Sequence, residues 1–442
     1  MTLKVGDGLL AEQQNLPLKI KSLLGDGGQG VVYLVDSAKG PFAVKWYSPE
    51  QATPQQAASI KSLVKSGPPS GVDGKRFIWP LDMAVSEGSA QFGYVMPLIA
   101  TSRFADLPQV FARVRPSPSY PTLCDISYQA ASSYRALHLS GLCYRDVSEG
   151  NLMFDPESGD VLICDNDNVG VDGKDSCQVL GTLEFMAPEV VRNEVKPSTK
   201  TDLHSLAVLL FKLWVRHHPL HGNMEYSYRS WEEKARRKVY GQEPVFIFDP
   251  VDTRNRLPND PDYVTPVKLW GRMPPSLKDL FTKAFTVGLA NPTQRVTEGE
   301  WQSHFLQLKD GTLECPDCKA KSLWEDAMKS VTCWHCGKGI AIPPRLAFGR
   351  SAQMRHFVLL RKDATILMRH ADPASKDGDK VLGKVVQKPN DPKVWGIQNL
   401  SDAPWSGVLP DGSMKEFAPG VAAPLSRGLK LNIAGAVAEI LG

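Results

Sequence analysis

The stretch Tyr144–Asp167, YRDVSEGNLMFDPESGDVLICDND, constrains this chain more than any other. Two short apolar runs, LMF and VLIC, flank DPESGD, in which Asp-Pro and Ser-Gly are strong turn dipeptides. The runs are predicted to pair as an antiparallel hairpin. Pairing brings Asn151 beside Asp165. Two oxygen side chains so placed suit Mg²⁺, which takes few protein ligands plus substrate phosphates. Asp146 stands a few residues before the hairpin, where it can accept a proton from a hydroxyl nucleophile. A base and two metal ligands on one rigid element outline a phosphoryl-transfer site.

The chain around this stretch has 442 residues, which exceeds one ordinary domain and predicts two or three. Its net charge of +3 is too weak to make nucleic acid or an acidic membrane the main partner. The N-terminus carries no apolar run of secretory length. The most apolar helical segment, LHSLAVLLFKLW, is broken by His204, Ser205 and Lys212 and reads as a buried core helix, not a membrane span. A cytoplasmic location is expected, with Cys124, Cys143, Cys164 and Cys177 as reduced thiols.

Upstream, residues 18–47 alternate like strands around a glycine loop, and residues 54–66 are helix-like up to the breaker GPPSG. FIWPLDMAV and QFGYVMPLI read as two further strands; beyond about residue 122 the pattern turns helical. A small β-rich lobe therefore precedes a larger α-rich one. From about Pro343 onward, short apolar runs alternate with Gly, Pro and Asp turns, which reads as all-β.

In the glycine loop, Gly25, Gly27 and Gly30 fit G-x-G-x-x-G, and Val32 completes the longer form. Together with Gly28 they let backbone N–H groups approach phosphates without a Cβ in the way. A dinucleotide-binding turn should lead into a helix, whereas the strand-like VVYLV that follows favours a hairpin flap. Lys45 follows in the apolar run FAVKWY, a setting suited to holding α/β-phosphates. Downstream, Glu189 of GTLEFMAPE and Arg295 are matched for a buried bidentate pair.

This set of motifs resembles the eukaryotic-like (Hanks-type) protein kinases over about residues 18–309. The resemblance implies an α+β two-lobed protein-kinase fold that transfers the γ-phosphate of ATP to Ser or Thr hydroxyls of protein substrates, with Mg²⁺ or Mn²⁺ as cofactor. It makes Asp146 the catalytic base, Lys45 the phosphate contact, and Asn151 and Asp165 the metal ligands. Arg145 would pair with a phosphorylated segment running from Asp165 to Glu189, with Thr182 or Ser176 carrying the phosphate. Asp202 would brace the catalytic-loop backbone. Met96 takes the gatekeeper position, Pro97 and Ile99 bind adenine through their backbone, and Val32, Ala43 and Met153 sandwich the ring.

The chain departs from that pattern at several places. Tyr144 stands where the family has His, and Ser148 takes the catalytic-loop place of its Lys. The metal-binding triplet reads Asp165-Asn166-Asp167, so Asp167 adds a carboxylate within reach of metal. The helix after Lys45 lacks the family's Glu; Gln56 is expected to face Lys45 and give it a hydrogen bond without charge. These losses keep a nucleotide-binding pseudokinase scaffold in view as the alternative.

Cys315-x₂-Cys318 and Cys333-x₂-Cys336 have the spacing of a tetrahedral structural Zn²⁺ site, with His335 a neighbour and not a ligand. Four thiolates close the site, so its role is folding or docking; a zinc-ribbon docking protein is a further alternative. The last part distantly resembles a forkhead-associated β-sandwich, with Arg350 in a Gly-Arg turn. The expected domains are a kinase domain at 1–309, with its small lobe to about 100, a zinc ribbon at 310–342 and a β-sandwich-like domain at 343–442. This order, with GPPS, FIWPLD and ICDNDNVG, resembles a bacterial kinase group that accompanies TerY-type tellurite-resistance proteins and a metal-dependent phosphatase, which are the partners it implies.

Overall fold

Leu16, Leu18 and Ile20 are buried while Pro17, Lys19 and Lys21 between them are exposed, the period-two signature of a half-buried strand. That pattern is seen in a computed structural model that describes residues 3–173, 181–349 and 355–442. Strands β1 (Gly8–Ala11), β2 (Leu16–Gly27), β3 (Gly30–Asp36), β4 (Phe42–Tyr47), β5 (Asp82–Val85) and β6 (Phe92–Met96) form a closed barrel in the order β1-β2-β3-β4-β6-β5. Leu9, Leu18, Ile20, Val35, Val44, Trp46 and Val95 fill it. Sequence reasoning missed β1, which pairs with both β2 and β5 and removes the sheet edges. The signal was only the brief GLLA run before a turn at Asn15, whose φ is 47°.

Helix α1 (Pro54–Ser66) occupies the predicted span. The Thr53 side chain caps it by accepting from Gln56 N, Pro54 supplies a preset φ, and Gly67 at φ 68° ends it. Only Ile60 and Leu63 of α1 are buried. Helix α2 (Tyr120–Leu139) and helix α3 (Thr199–Val215) form the helical core of the larger lobe. The Ser198 and Thr201 side chains cap α3 reciprocally, and nearly every α3 side chain is buried, Asp202 and Lys212 included. Strands β7 (Leu152–Phe154) and β8 (Val161–Ile163) make the expected hairpin, with Leu152 opposite Ile163 and Phe154 opposite Val161.

The chain divides into two compact units, Met1–Ser303 and His304–Gly442. The expected boundary after 309 thus falls earlier, inside the helix Glu298–Asp310. The ribbon and the β-domain, expected as separate domains, belong to the same unit. The reason is a shared core: Leu313, Cys315, Trp324, Val331, Cys333 and Ile340 pack with Leu359 of the β-domain. Beyond the ribbon lie a six-stranded and a four-stranded antiparallel sheet that share one core built around Phe348, Ile366, Val385, Ile397, Trp405, Phe417 and Leu431. No helix among the described residues is long and apolar enough to cross a membrane.

Candidate active site

The turn between β2 and β3 holds Gly28 and Gln29, with Gly27 opposite Gly30 and Gly25 opposite Val32. A hairpin flap therefore forms, not a strand-to-helix turn. Gly30 is required by space: a Cβ there would collide with the Trp46 carbonyl on β4. In the next pairing Val32 lies opposite Lys45, and Ala43 lies opposite Met96. Strand β6 ends at Met96, which leaves Pro97 and Ile99 in the irregular segment after it; the Ile99 carbonyl accepts from Thr101 N at 3.0 Å. Met153 is half-buried on β7.

Asp202 of α3 fixes the loop that carries Asp146. It accepts from Tyr144 N at 2.6 Å and Arg145 N at 3.0 Å, holding Arg145 at φ 74°. The expected brace is thus in place. Tyr144 is buried, and its hydroxyl donates to the Cys164 carbonyl, next to Asp165. His138 of α2, passed over in sequence reasoning, lies between Asp202 and Glu298. Asn151 Nδ2 donates to the Asp146 carbonyl at 2.9 Å and to its Oδ2 at 3.3 Å, which turns its Oδ1 into the amide's acceptor for a ligand. Asn151 O accepts from Cys164 N at 2.9 Å, so the hairpin does bring Asn151 alongside Asp165.

Asp146 Oδ1 accepts from both the backbone N–H and the hydroxyl of Thr182, each at 2.8 Å. Burial pushes the Asp146 carboxyl above its ordinary range, against the opposing hydrogen bonds from Thr182 and Asn151. Gly181, at φ 95° and too close to the Arg145 carbonyl for a Cβ, delivers Thr182 to that oxygen. Thr182, expected along with Ser176 as a position for the phosphate, has its hydroxyl on the candidate base. Arg145, expected to meet that phosphate, is buried, and its guanidinium donates to the Val171 carbonyl at 3.3 Å. Ser148 is buried, its carbonyl accepting from Asn151 N at 3.2 Å, so it shapes the loop. Ser176, Cys177 and Arg350 lie outside the described residues.

Asp165 sits at φ 53°, a left-handed conformation costly for a non-glycine residue. Its Oδ1 pairs with Lys45 Nζ. Lys45 Nζ also meets Asp167 Oδ2 at 2.9 Å and Gln29 Oε1 at 2.7 Å. Burial pushes the Lys45 ammonium down, but Asp167 and Asp165 outweigh it and the pKa is raised. Asp165 is pushed up, by burial first and then by the neighbouring Asp167 charge. Asp167, expected to add a carboxylate within reach of metal, has its Oδ2 on Lys45. Gln56, expected on Lys45, instead donates to the Tyr47 hydroxyl at 2.9 Å. Asn166 donates to the carbonyls of Ile78 and Ile163, both at 2.9 Å, which gives its buried amide nitrogen two partners. Glu189 and Arg295 form the expected buried pair at 2.8 Å.

In the second unit, Cys315 Sγ lies 3.6 Å from Cys336 Sγ, and Cys318 Sγ lies 3.5 Å from Cys333 Sγ. These separations far exceed a disulfide bond of about 2.05 Å. They fit thiolates at the corners of a tetrahedron around Zn²⁺, where Zn–S bonds of about 2.3 Å set edges near 3.8 Å. Each pair ends in a matching turn, with Lys319 N donating to Cys315 O at 3.0 Å and Gly337 N to Cys333 O at 2.9 Å. Lys319 and Gly337 both have positive φ, 63° and 75°. His335 is exposed and outside the thiol cluster.

A second cluster, Asp310, His356 and His370, has metal-ligand proximity but the wrong proton arrangement. Leu367 N donates to His370 Nδ1 at 3.0 Å, so the proton of the neutral ring sits on Nε2. That Nε2–H points at Asp310 Oδ2, 3.1 Å away, while Arg369 holds Oδ1 at 3.0 Å. The cluster is a hydrogen-bonded polar junction.

Residues 18–306 match the family model described as the protein kinase domain. The chain is 23% identical over 233 residues to serine/threonine-protein kinase PkaB of Streptomyces coelicolor, covering 50% of this chain and 52% of that protein. It is 28% identical over 92 residues to protein kinase gsk3 of Schizosaccharomyces pombe, covering 20% of this chain and 24% of that protein. It is also 28% identical over 200 residues to mitogen-activated protein kinase kinase kinase 13-A of Xenopus laevis, covering 43% and 18%. The chain thus spans about half or less of the length of these curated relatives. With a glycine flap over a strand lysine, and a loop and hairpin gathering Asp146, Asn151 and Asp165, the chain belongs to the protein kinase family.

Proposed function

We propose that this chain is a serine/threonine-protein kinase that transfers the γ-phosphate of ATP to hydroxyls of protein substrates. The observation that carries the reading is the contact at Asp146, where a threonine hydroxyl already donates to Oδ1 at 2.8 Å. A substrate Ser or Thr hydroxyl approaching the same oxygen gives up its proton there as its oxygen bonds to the γ-phosphorus. The bond from that phosphorus to the bridging oxygen breaks, and ADP leaves. Lys45 would hold the α/β-phosphates, beneath the flap formed by Gly25, Gly27, Gly28 and Gly30. Asn151 Oδ1 and Asp165 would hold Mg²⁺, which supplies neutralisation of phosphate charge. The backbone at Pro97 and Ile99, with Val32, Ala43, Met96 and Met153, would frame the adenine.

The same reading extends to autophosphorylation in the segment that includes Ser176, and to a structural Zn²⁺ at Cys315, Cys318, Cys333 and Cys336. At its finest it places the chain with bacterial kinases that accompany a TerY-type protein and a metal-dependent phosphatase; domain order and the ICDNDNVG motif support this. Incubation of the full chain with Mg²⁺ and γ-labelled ATP should label the chain or a generic protein substrate. Asp146→Asn should reduce the label by about a thousandfold or more, the scale of losing the general base and its positioning. Label that survives Asp146→Asn would remove Asp146 from that role.

A further inference from the structure

Helix α1, PQQAASIKSLVKS, has no acidic residue, and Glu50 before it is exposed. The helix therefore offers Lys45 no charge, yet Lys45 is nearly fully buried and a buried ammonium needs a partner. Two carboxylates meet it, and they differ. The Asp165 side chain remains 32% exposed, whereas that of Asp167 is fully buried. Asp167 Oδ2 lies 2.9 Å from Lys45 Nζ and accepts from the Tyr47 hydroxyl at 2.5 Å. Lys45 and Tyr47 lie two residues apart on β4 and so project from the same face. The Tyr47 hydroxyl in turn accepts from Gln56 Nε2 of α1 at 2.9 Å.

We propose that Asp167 is the positioning residue for Lys45, with Tyr47 and Gln56 tying helix α1 to its carboxylate through neutral hydrogen bonds. The charge that a kinase needs beside this lysine is supplied from the hairpin side, not from the helix. Asp165 is then free to exchange Lys45 for a metal ion while Asp167 keeps the ammonium in place. The rival role for Asp167 is as a metal ligand through Oδ1, which is buried without a hydrogen-bond partner.

This inference rests on the kinase reading, and the test separates the two. Thermal unfolding of nucleotide-free full chain is compared for wild type, Lys45→Met, Asp167→Asn and the double variant. Lys45→Met strands a buried carboxylate, so adding Asp167→Asn should raise its Tm by several degrees, an interaction that independent sites do not show. In the transfer assay Asp167→Asn should lower kcat by about tenfold or more, an interaction lost in the transition state, with the Mg²⁺ concentration for half-maximal rate unchanged. Additive Tm changes, or a raised Mg²⁺ requirement with Lys45 and Asp167 uncoupled, would overturn the proposal. A wild type that transfers no phosphate but shows the coupled Tm effect would sink the kinase reading and leave the Lys45–Asp167 pairing standing.

Discussion

Glu189 and Arg295 are 106 positions apart in sequence and 2.8 Å apart in the fold, with side chains 10% and 2% exposed. Arg295 also donates to the carbonyls of Lys200 and Gly288, so each of its three guanidinium nitrogens has a partner. Removing one member of such a pair leaves a buried charge without a partner. Arg295→Ala should therefore cost about 3–5 kcal/mol, read as a lower urea midpoint at unchanged slope. The sequence displayed this pair, as it did Lys45, Asp146, Asn151 and Asp165, because spacing and residue type alone announce them. It did not display which partner each side chain takes. Gln56 and Asp167 both meet the Tyr47 hydroxyl, and only the geometry of β4 puts Asp167, and not Gln56, on the Lys45 ammonium. Thr182 shows the same limit: its position was visible, but its contact with Asp146 depends on the left-handed turn at Gly181.

At the scale of elements, α1, α3 and the β7–β8 hairpin were legible because periodicity, caps and turn dipeptides agree there. Strand β1 was not, since four residues give too short a pattern. The link between α2 and α3 through His138 was also hidden, because a lone histidine on a helix carries no sign of its partners. Burial pushes His138 down, but hydrogen bonds with Asp202 and Glu298 outweigh it and raise its pKa from 6.5 to about 9. A raised folded-state pKa means that the stabilisation is complete below about pH 6.5 and is lost as pH rises through about 9. The melting temperature of the first unit should fall over that interval, and His138→Gln should flatten the fall. A wild-type profile that stays level from pH 6 to 10 would contradict the assigned pairing. The same histidine holds the carboxylate that holds the catalytic loop, so loss of transfer activity at high pH should track the melting data.

For the molecule as a whole, the kinase-family match ends at residue 306, while the second compact unit begins at His304. The cysteine spacing pointed to a four-thiol cluster, but not that the core around it continues into Phe357 and Leu359. The consequence is specific: chelation should unfold more than the cysteine loops. Metal analysis should find one zinc ion per chain, and a strong chelator should loosen the second unit while nucleotide-dependent stabilisation of the first persists. Chelation that leaves the second unit's melting unchanged would remove zinc from its core.

Asp146, Asn151, Asp165 and Lys45 would form a working phosphoryl-transfer centre despite the missing helix carboxylate. Its most direct test is intact-mass and peptide mass spectrometry of the full chain after incubation with Mg-ATP, beside Asp146→Asn. A working centre puts phosphate on serine or threonine residues of the wild type and none on the variant. Nucleotide-dependent stabilisation of both proteins with phosphate on neither would contradict it.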